Sequence, residues 1–322
     1  MSRVTVLVAA YNAEKYLEEC LDSLGRQTLR DIRIVCIDDA STDSTPDILE
    51  RYAANDSRIK VLKCSTNSGQ AVARNMGIEI ADGDYITMLD ADDVLSDDAL
   101  EQAVSVLDGD AGTGSVLFNL VYLDGQTKTP YPMRSDKKEW SGQEAFRLSL
   151  DWSIHGLYVS RTELFKRFPY DTSCRLYSDD NTTRMHYLHS GKVRLCGGIY
   201  YYRQHGESMT NRISARRLDL LEANTSMARQ LRESRQEREI LALFEKERWI
   251  NLTGICGMWL RNRQIQDKSS AMERFRSVWN DIDKSMLPAG LKLKLGYIPC
   301  HSFRLYFLQV QFYFVLRRFL GK

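Results

Sequence analysis

From Val4 to Leu89, short apolar runs alternate with segments in which apolar residues recur every three or four positions. Val4 to Ala10 is an unbroken β-branched and apolar run, which predicts a strand covered on both faces. Tyr16, Leu17, Cys20, Leu21 and Leu24 then recur at helical spacing, and Gly25 supplies the stop. Ile32 to Ile37 predicts a second strand, and Ser44-Thr45-Pro46 opens a helix with proline at its first position. Ile59 to Leu62 predicts a third strand, Ala71 to Ile80 a helix, and Tyr85 to Leu89 a fourth strand. This alternation predicts an α/β fold with a mostly parallel sheet and right-handed crossovers.

After a helix expected from Asp97 to Leu107, the rhythm changes. Val116 to Leu123 followed by Asp124-Gly125 predicts a strand entering a hairpin turn. Ser141 to Leu150, Thr162 to Phe168 and Asn181 to His189 predict helices, and Tyr200 to Arg203 a short aromatic strand. From Ser214 onward the pattern is helical. A boundary near Asn211 divides a domain over residues 1–213, itself split into 1–95 and 96–213, from a helical region over 214–322. In the last segment, Gly290 to Lys322 carries Lys292, Lys294, Arg304, Arg317, Arg318 and Lys322 but no acidic residue. There Phe303, Tyr306, Phe307, Phe312, Tyr313, Phe314 and Phe319 crowd one helix length, with Arg304, Gln311 and Arg318 as a narrow polar stripe. Such a helix suits a membrane interface; docking on the catalytic domain or a dimer contact are the alternatives.

Composition narrows the function classes. In 322 residues, 44 Lys+Arg balance 43 Asp+Glu, which excludes a generally basic nucleic-acid binder. No apolar run is long enough to span a bilayer, and Ser2 to Ala10 is too short for a signal-peptide core. The 7 cysteines show no Cys-x-x-Cys spacing, so a reducing cytoplasm is expected, without a disulfide framework or zinc site.

Ligands of open α/β sheets bind beyond the carboxyl ends of the strands. The first strand ends in Ala9-Ala10-Tyr11-Asn12, which is no glycine fingerprint, and no Walker loop is present. The second ends in Asp38-Asp39 and the fourth in Asp90-Ala91-Asp92-Asp93. Two acidic clusters at one sheet edge repel each other unless a cation or hydrogen-bond donors fill the gap. Asp90 and Asp92 have the spacing to share Mg²⁺ or Mn²⁺ with substrate phosphates; alternatively they cap the next helix.

These landmarks together resemble the family 2 glycosyltransferases. The resemblance rests on Val4 to Asn12 with Tyr16-Leu17 and Cys20 to Leu24, Ile37 to Thr45, Asn67-Ser68-Gly69, Ala73 to Gly77, and Met88 to Asp93, in that order. Where the family usually has proline, this chain has Ala9. The resemblance implies a GT-A fold, Rossmann-like with helices on both faces of the sheet, that transfers a sugar from a nucleotide-sugar with inversion. It implies that Ala10, Tyr11, Asn12 and Asn67 belong to the nucleotide site and that Asp39 accepts a base N–H, which makes uracil the expected base. It further implies Asp90 at the ribose or metal, Asp92 as the main metal ligand, and Arg74 beside the diphosphate.

Leu176 to Asn181 resembles the family's Glu-Asp pair, whose second member is the base. Asp180 takes that place and Asp179 stands where Glu is usual, which leaves open which of the two reaches the acceptor. Tyr202 to Thr210 is similar to the segment that closes the site, making His205 a further metal-ligand candidate. Trp152 and His155 fall where relatives build the acceptor pocket. The implied protein is a metal-dependent inverting enzyme of bacterial-type polysaccharide or glycolipid assembly, cytoplasmic and at most peripheral on the membrane. Its donor is expected to be a UDP-sugar and its acceptor a glycan or lipid-linked hydroxyl. A non-catalytic scaffold and a Mg²⁺-dependent phosphotransferase using Asp90 are the rival readings.

Overall fold

The computed structural model of the chain describes residues 2–173, 175–205 and 214–320. Cys174, Gly206 to Thr210 of the closing segment, the boundary near Asn211, and Lys322 lie outside the described residues. The chain divides into two units, Met1–Thr172 with Ser178–Asn211 and Ser173–Tyr177 with Arg212–Lys322.

In the first unit the unbroken apolar runs become central strands. In β1 (Val4–Ala10), Val4, Val6, Val8 and Ala10 face one core while Leu7 faces another. β2 (Ile32–Asp38) repeats the division, with Ile34 and Cys36 on one side and Val35 and Ile37 on the other. Helices cover both faces: α1 (Leu17–Gly25), α2 (Thr45–Asn55) and α4 (Ala99–Gly109) bury residues in the first core. The second core takes residues from α3 (Gln70–Glu79), α5 (Gly142–Leu150), α6 (Thr162–Arg167) and α7 (Ser178–His189). Each such Val, Leu or Ile side chain contributes roughly 1.5–3 kcal/mol when fully buried.

With β3 (Ile59–Lys63), β4 (Tyr85–Met88), β5 (Val94–Leu95), β6 (Thr113–Asp124), β9 (Tyr158–Arg161) and β10 (Lys192–Arg203), the sheet runs β3-β2-β1-β4-β9-β6-β10-β5. The pairs β1–β2, β1–β4, β2–β3 and β6–β10 are parallel, and β9 inserts antiparallel to both β4 and β6. Six strands, β1, β2, β3, β4, β6 and β10, thus run one way, as expected, while β5 as well as β9 runs against them. β7 (Thr127–Pro130) closes the expected hairpin with β6, and β8 (Glu139–Ser141) pairs antiparallel with β10.

β5, β8 and β9 were not expected from the pattern, and two expected elements that bear on the site begin earlier than predicted. β10 is twelve residues long rather than the short Tyr200–Arg203 strand, because Gly197-Gly198 interrupts its apolar pattern. That interruption is a register shift between Leu195 and Ile199, and a Cβ on Gly198 would lie 2.6 Å from Ala99 Cα. α7 begins at Ser178, three residues before Asn181, so Asp179 and Asp180 lie in its first turn, where carboxylates complement the helix dipole.

The second unit is helical: α8 (Asp219–Glu233), α9 (Arg238–Arg261), α10 (Lys268–Asp281), α11 (Ala289–Lys292) and α12 (Phe303–Phe319). Its core holds Trp249, Trp259, Phe275, Tyr306 and Phe307. Phe303, Tyr306, Phe307 and Val310 bury one face of α12 within this unit. Among the described residues no helix is long and apolar enough to cross a membrane.

Candidate active site

The first ties are between strand ends. Asp39 N–H donates to the Ala10 carbonyl at 2.9 Å, joining the ends of β1 and β2. Asn12, in the left-handed region at φ 50°, accepts the Thr42 N–H at 2.8 Å through its side-chain oxygen. The buried Asp39 carboxylate accepts the Ser68 and Gly69 N–H groups, both at 2.8 Å, through different oxygens. Asn67 donates to the Asp39 carbonyl at 3.4 Å. Tyr11 remains 50% exposed beside this knot. Gly69 makes the turn into α3 at φ 92°, a conformation that favours glycine.

Beyond the ends of β4, β6 and β10 lies a cavity of about 350 Å³. Arg74, Asp90 and Asp179 give it charged walls; Tyr122, Trp152 and Tyr202 give it aromatic ones, completed by Leu120, Leu157 and Thr183. Arg74 on α3 is buried, pairs with Asp90 at 2.5 Å and lies over the Tyr170 ring at 5.0 Å. Its other terminal nitrogen, Nη1, is buried without a hydrogen-bond partner. Gln70 also donates to Asp90, at 3.1 Å. Desolvation pushes the Asp90 carboxyl above its ordinary range; Arg74 opposes the shift, and Asp92 and Asp179 add to it.

Asp93, absent from the expected site, is what holds the acidic loop in place. Its buried carboxylate accepts Tyr200 O–H at 2.8 Å and Arg203 N–H at 2.7 Å, both from β10. The Tyr200 hydroxyl in turn accepts the Asp90 N–H at 3.2 Å, and Arg203 Nε donates to the Asp92 carbonyl at 2.8 Å. Burial, then the neighbouring Asp90 and Asp92, drive the Asp93 carboxyl well above its usual range. The third carboxylate of Asp90-Ala91-Asp92-Asp93 was visible in the sequence. Its partner was not, because Tyr200 meets it only through the register of the full-length β10. Tyr200→Phe is expected to cost about 1–3 kcal/mol by leaving buried polar groups unsatisfied, read by chemical denaturation.

Asp92 itself is held more loosely. His205 Nε2 donates to its carboxylate at 2.7 Å, and the His205 Nδ1 is buried without a partner. Tyr16 packs on the imidazole with ring centroids 5.4 Å apart. Among the described residues no three His, Cys, Asp or Glu side chains converge as a metal cage. Asp92 and His205 supply two adjacent donors, a set that suits an ion completed by substrate phosphates rather than one enclosed by protein.

On the opposite wall, Trp152 adopts φ 56°, a left-handed conformation rare for a bulky residue. Its carbonyl accepts the Tyr131 hydroxyl, and the Arg184 guanidinium lies 5.3 Å from its ring. Gly156 and Leu157, rather than His155, line the cavity. His155 is 3% exposed, packs edge-on to Tyr131 and accepts the Leu157 N–H at 3.3 Å. Burial holds its pKa down to about 4, and its neighbours Gly156 and Leu157 are the residues on the cavity wall.

The two candidate bases divide. Asp179 lines the cavity, whereas Asp180 lies 3.7 Å from Arg184, one helical turn on, and is not on the cavity wall. Desolvation raises the Asp180 pKa to about 7; Arg184 opposes the shift and Asp179 adds to it. Thus Arg74, Asp90, Asp179 and Trp152 come together on one cavity. Ala10, Tyr11, Asn12, Asp39 and Asn67 cluster at the ends of β1 and β2, and Asp92 with His205 forms a separate pair.

The sequence profile described as Glycosyl transferase family 2 matches residues 5–173. The glycosyltransferase GlyG of Streptococcus pneumoniae is 31% identical over 220 residues, covering 64% of this chain and 72% of GlyG. The poly(ribitol-phosphate) beta-glucosyltransferase of Bacillus spizizenii is 42% identical over 101 residues, covering 30% of this chain and 16% of that protein. The fold of S. aureus TarS 1-349, solved in complex with UDP-GlcNAc, superposes with a TM-score of 0.78 at 20% identity, covering 99% of this chain and 92% of that one.

Proposed function

The chain belongs to glycosyl transferase family 2 and is a glycosyltransferase, and from that premise we propose that it moves a sugar from a UDP-sugar, with inversion, to a hydroxyl of a cell-surface polysaccharide or its precursor. The observation that carries the reading is the cavity on which Asp90, Arg74 and Asp179 face an aromatic wall at the strand ends.

The nucleoside goes to the cluster at the ends of β1 and β2. Tyr11 offers an exposed ring for the base, and Ala10, Asn12 and Asn67 shape the pocket around it. Each oxygen of Asp39 already accepts one backbone N–H, which leaves lone pairs for a base N–H. A fold neighbour solved with UDP-GlcNAc supports a uridine donor. Arg74 fixes Asp90 through one nitrogen and has an unmet donor on the other, which suits a phosphate oxygen.

Asp92 and His205 would hold a divalent cation, Mn²⁺ or Mg²⁺, with Asp90 nearby. When bound, that ion neutralises charge on the departing diphosphate. The acceptor sugar lies against Trp152, Tyr122 and Tyr202, whose flat faces suit a pyranose. Asp180 takes the proton of the attacking hydroxyl, its pKa of about 7 being matched to neutral pH; to reach it, the carboxylate turns from Arg184 onto the cavity wall when the acceptor binds. The new bond forms as the anomeric carbon–diphosphate bond breaks, in one displacement. Asp179, next to Asp180 in the chain, faces the cavity. The acceptor class draws on the poly(ribitol-phosphate) activity of one relative.

The test is nucleotide release from UDP-, GDP- and dTDP-sugars with Mn²⁺ and a panel of surface-glycan fragments, with product anomers read by NMR. A UDP-sugar preference and a β-linked product from an α-linked donor are expected. A retained anomer would contradict the single displacement.

A further inference from the structure

α12 is apolar on two faces, only one of which is covered. Opposite the buried Phe303, Tyr306, Phe307 and Val310, the side chains of Leu305, Leu308, Phe312, Val315, Leu316 and Phe319 stand exposed, Leu308 and Phe312 each at 59% and Phe319 at 84%. They recur at spacings of three and four and so form one continuous stripe. Arg304, Gln311 and Arg318 run along the border between the two faces. Gln309 pins the helix on the other side, accepting the Gly296 N–H at 3.1 Å and donating to the Ile298 carbonyl. An apolar stripe of this length on a folded surface marks a contact site.

Its surroundings carry one sign of charge. After Asp283 the chain has no further Asp or Glu, while Lys292, Lys294, Arg304, Arg317 and Arg318 all fall in this segment. The pattern repeats at Leu293, 84% exposed between Lys292 and Lys294. A second copy of the chain meeting this face would bring arginines together with no carboxylate from the segment to pair them. An anionic lipid surface satisfies both features at once: acyl chains for the stripe and headgroups for the arginines. We propose that the exposed face of α12 seats the protein on an anionic membrane surface, lying in the interface rather than spanning it. The proposal rests on the second unit alone and stands or falls independently of the catalytic assignment.

The experiment is co-sedimentation of the full chain with vesicles of phosphatidylglycerol and phosphatidylcholine in equal parts, against vesicles of phosphatidylcholine alone. Wild type is expected to bind the anionic vesicles. The double variant Leu308→Glu/Phe312→Glu should lose at least about a hundredfold in partitioning, the worth of two buried apolar side chains. The triple variant Arg304→Gln/Arg317→Gln/Arg318→Gln leaves the stripe intact. It should lose about a hundredfold on the anionic vesicles, at about fivefold per basic residue. All five positions are exposed, and unchanged thermal unfolding in buffer accompanies the expected result. No binding by wild type, or binding that neither variant weakens, overturns the proposal. So does a wild-type dimer in sedimentation velocity that Leu308→Glu/Phe312→Glu dissociates, because the stripe would then be covered by a second copy.

Discussion

Asp180→Asn is expected to slow sugar transfer by about a hundred- to ten-thousand-fold, the range for loss of a general base, while nucleotide affinity stays at the wild-type value. The substitution keeps the side-chain shape next to Arg184 but removes both the ability to take a proton and the charge that faces that guanidinium. Burial and the adjacent Asp179 hold the Asp180 carboxyl at about 7, so the wild-type rate should rise with pH through that value as the base loses its proton. The Asn variant should lack that limb. Asp179→Asn removes one of the two influences that raise the pKa, and its limb should move to lower pH. If Asp179→Asn abolished transfer and Asp180→Asn spared it, the cavity-facing carboxylate would be the base instead. A scaffold without catalysis predicts no change in either variant, and family membership already argues against that rival.

Asp92→Ala should lower transfer by at least about a thousandfold, which corresponds to several kcal/mol of charge stabilisation at the leaving diphosphate. The variant is expected to fold. Asp92 contributes a single hydrogen bond to His205, whereas Asp93 carries the attachment of the loop to β10 through Tyr200 and Arg203. Loss of activity without loss of stability therefore separates the two neighbouring carboxylates. Asp92 is placed for ligand, and Asp93 is placed for architecture.

The nucleotide-binding half was legible because its signals are local. A β-branched run such as Val4 to Ala10 states its own strand, and Ser44-Thr45-Pro46 its own helix start, with bounds that the structure keeps within a residue or two. The half that builds the cavity depends on pairings the chain does not announce. β9 is four residues of mixed character that become a strand only by lying between β4 and β6. β10 hides behind Gly197-Gly198, and with it the register that sets Tyr200 against Asp93. The side-chain direction of adjacent residues was equally closed to sequence reasoning. Nothing in Asp179-Asp180 says which residue faces the cavity, since one position along a helix turns a side chain by about a quarter of a revolution, and His155-Gly156 lies in a loop, where no periodicity sets direction. The C-terminal helix illustrates the same limit. Its aromatic crowding suggested either docking or an exposed interface, and the structure places an apolar face on each side.

On the proposed function, the strand-end site takes a uridine diphosphate together with a divalent cation at Asp92. Thermal unfolding of wild type and Asp92→Ala with UDP, with and without Mn²⁺, tests it most directly. At a hundredfold excess over Kd, a bound ligand stabilises by about 2.7 kcal/mol, so wild type should shift by that much only with UDP and Mn²⁺ together, and Asp92→Ala should not shift. A shift of equal size in the variant, or none in wild type with UDP and Mn²⁺ together, would overturn that reading.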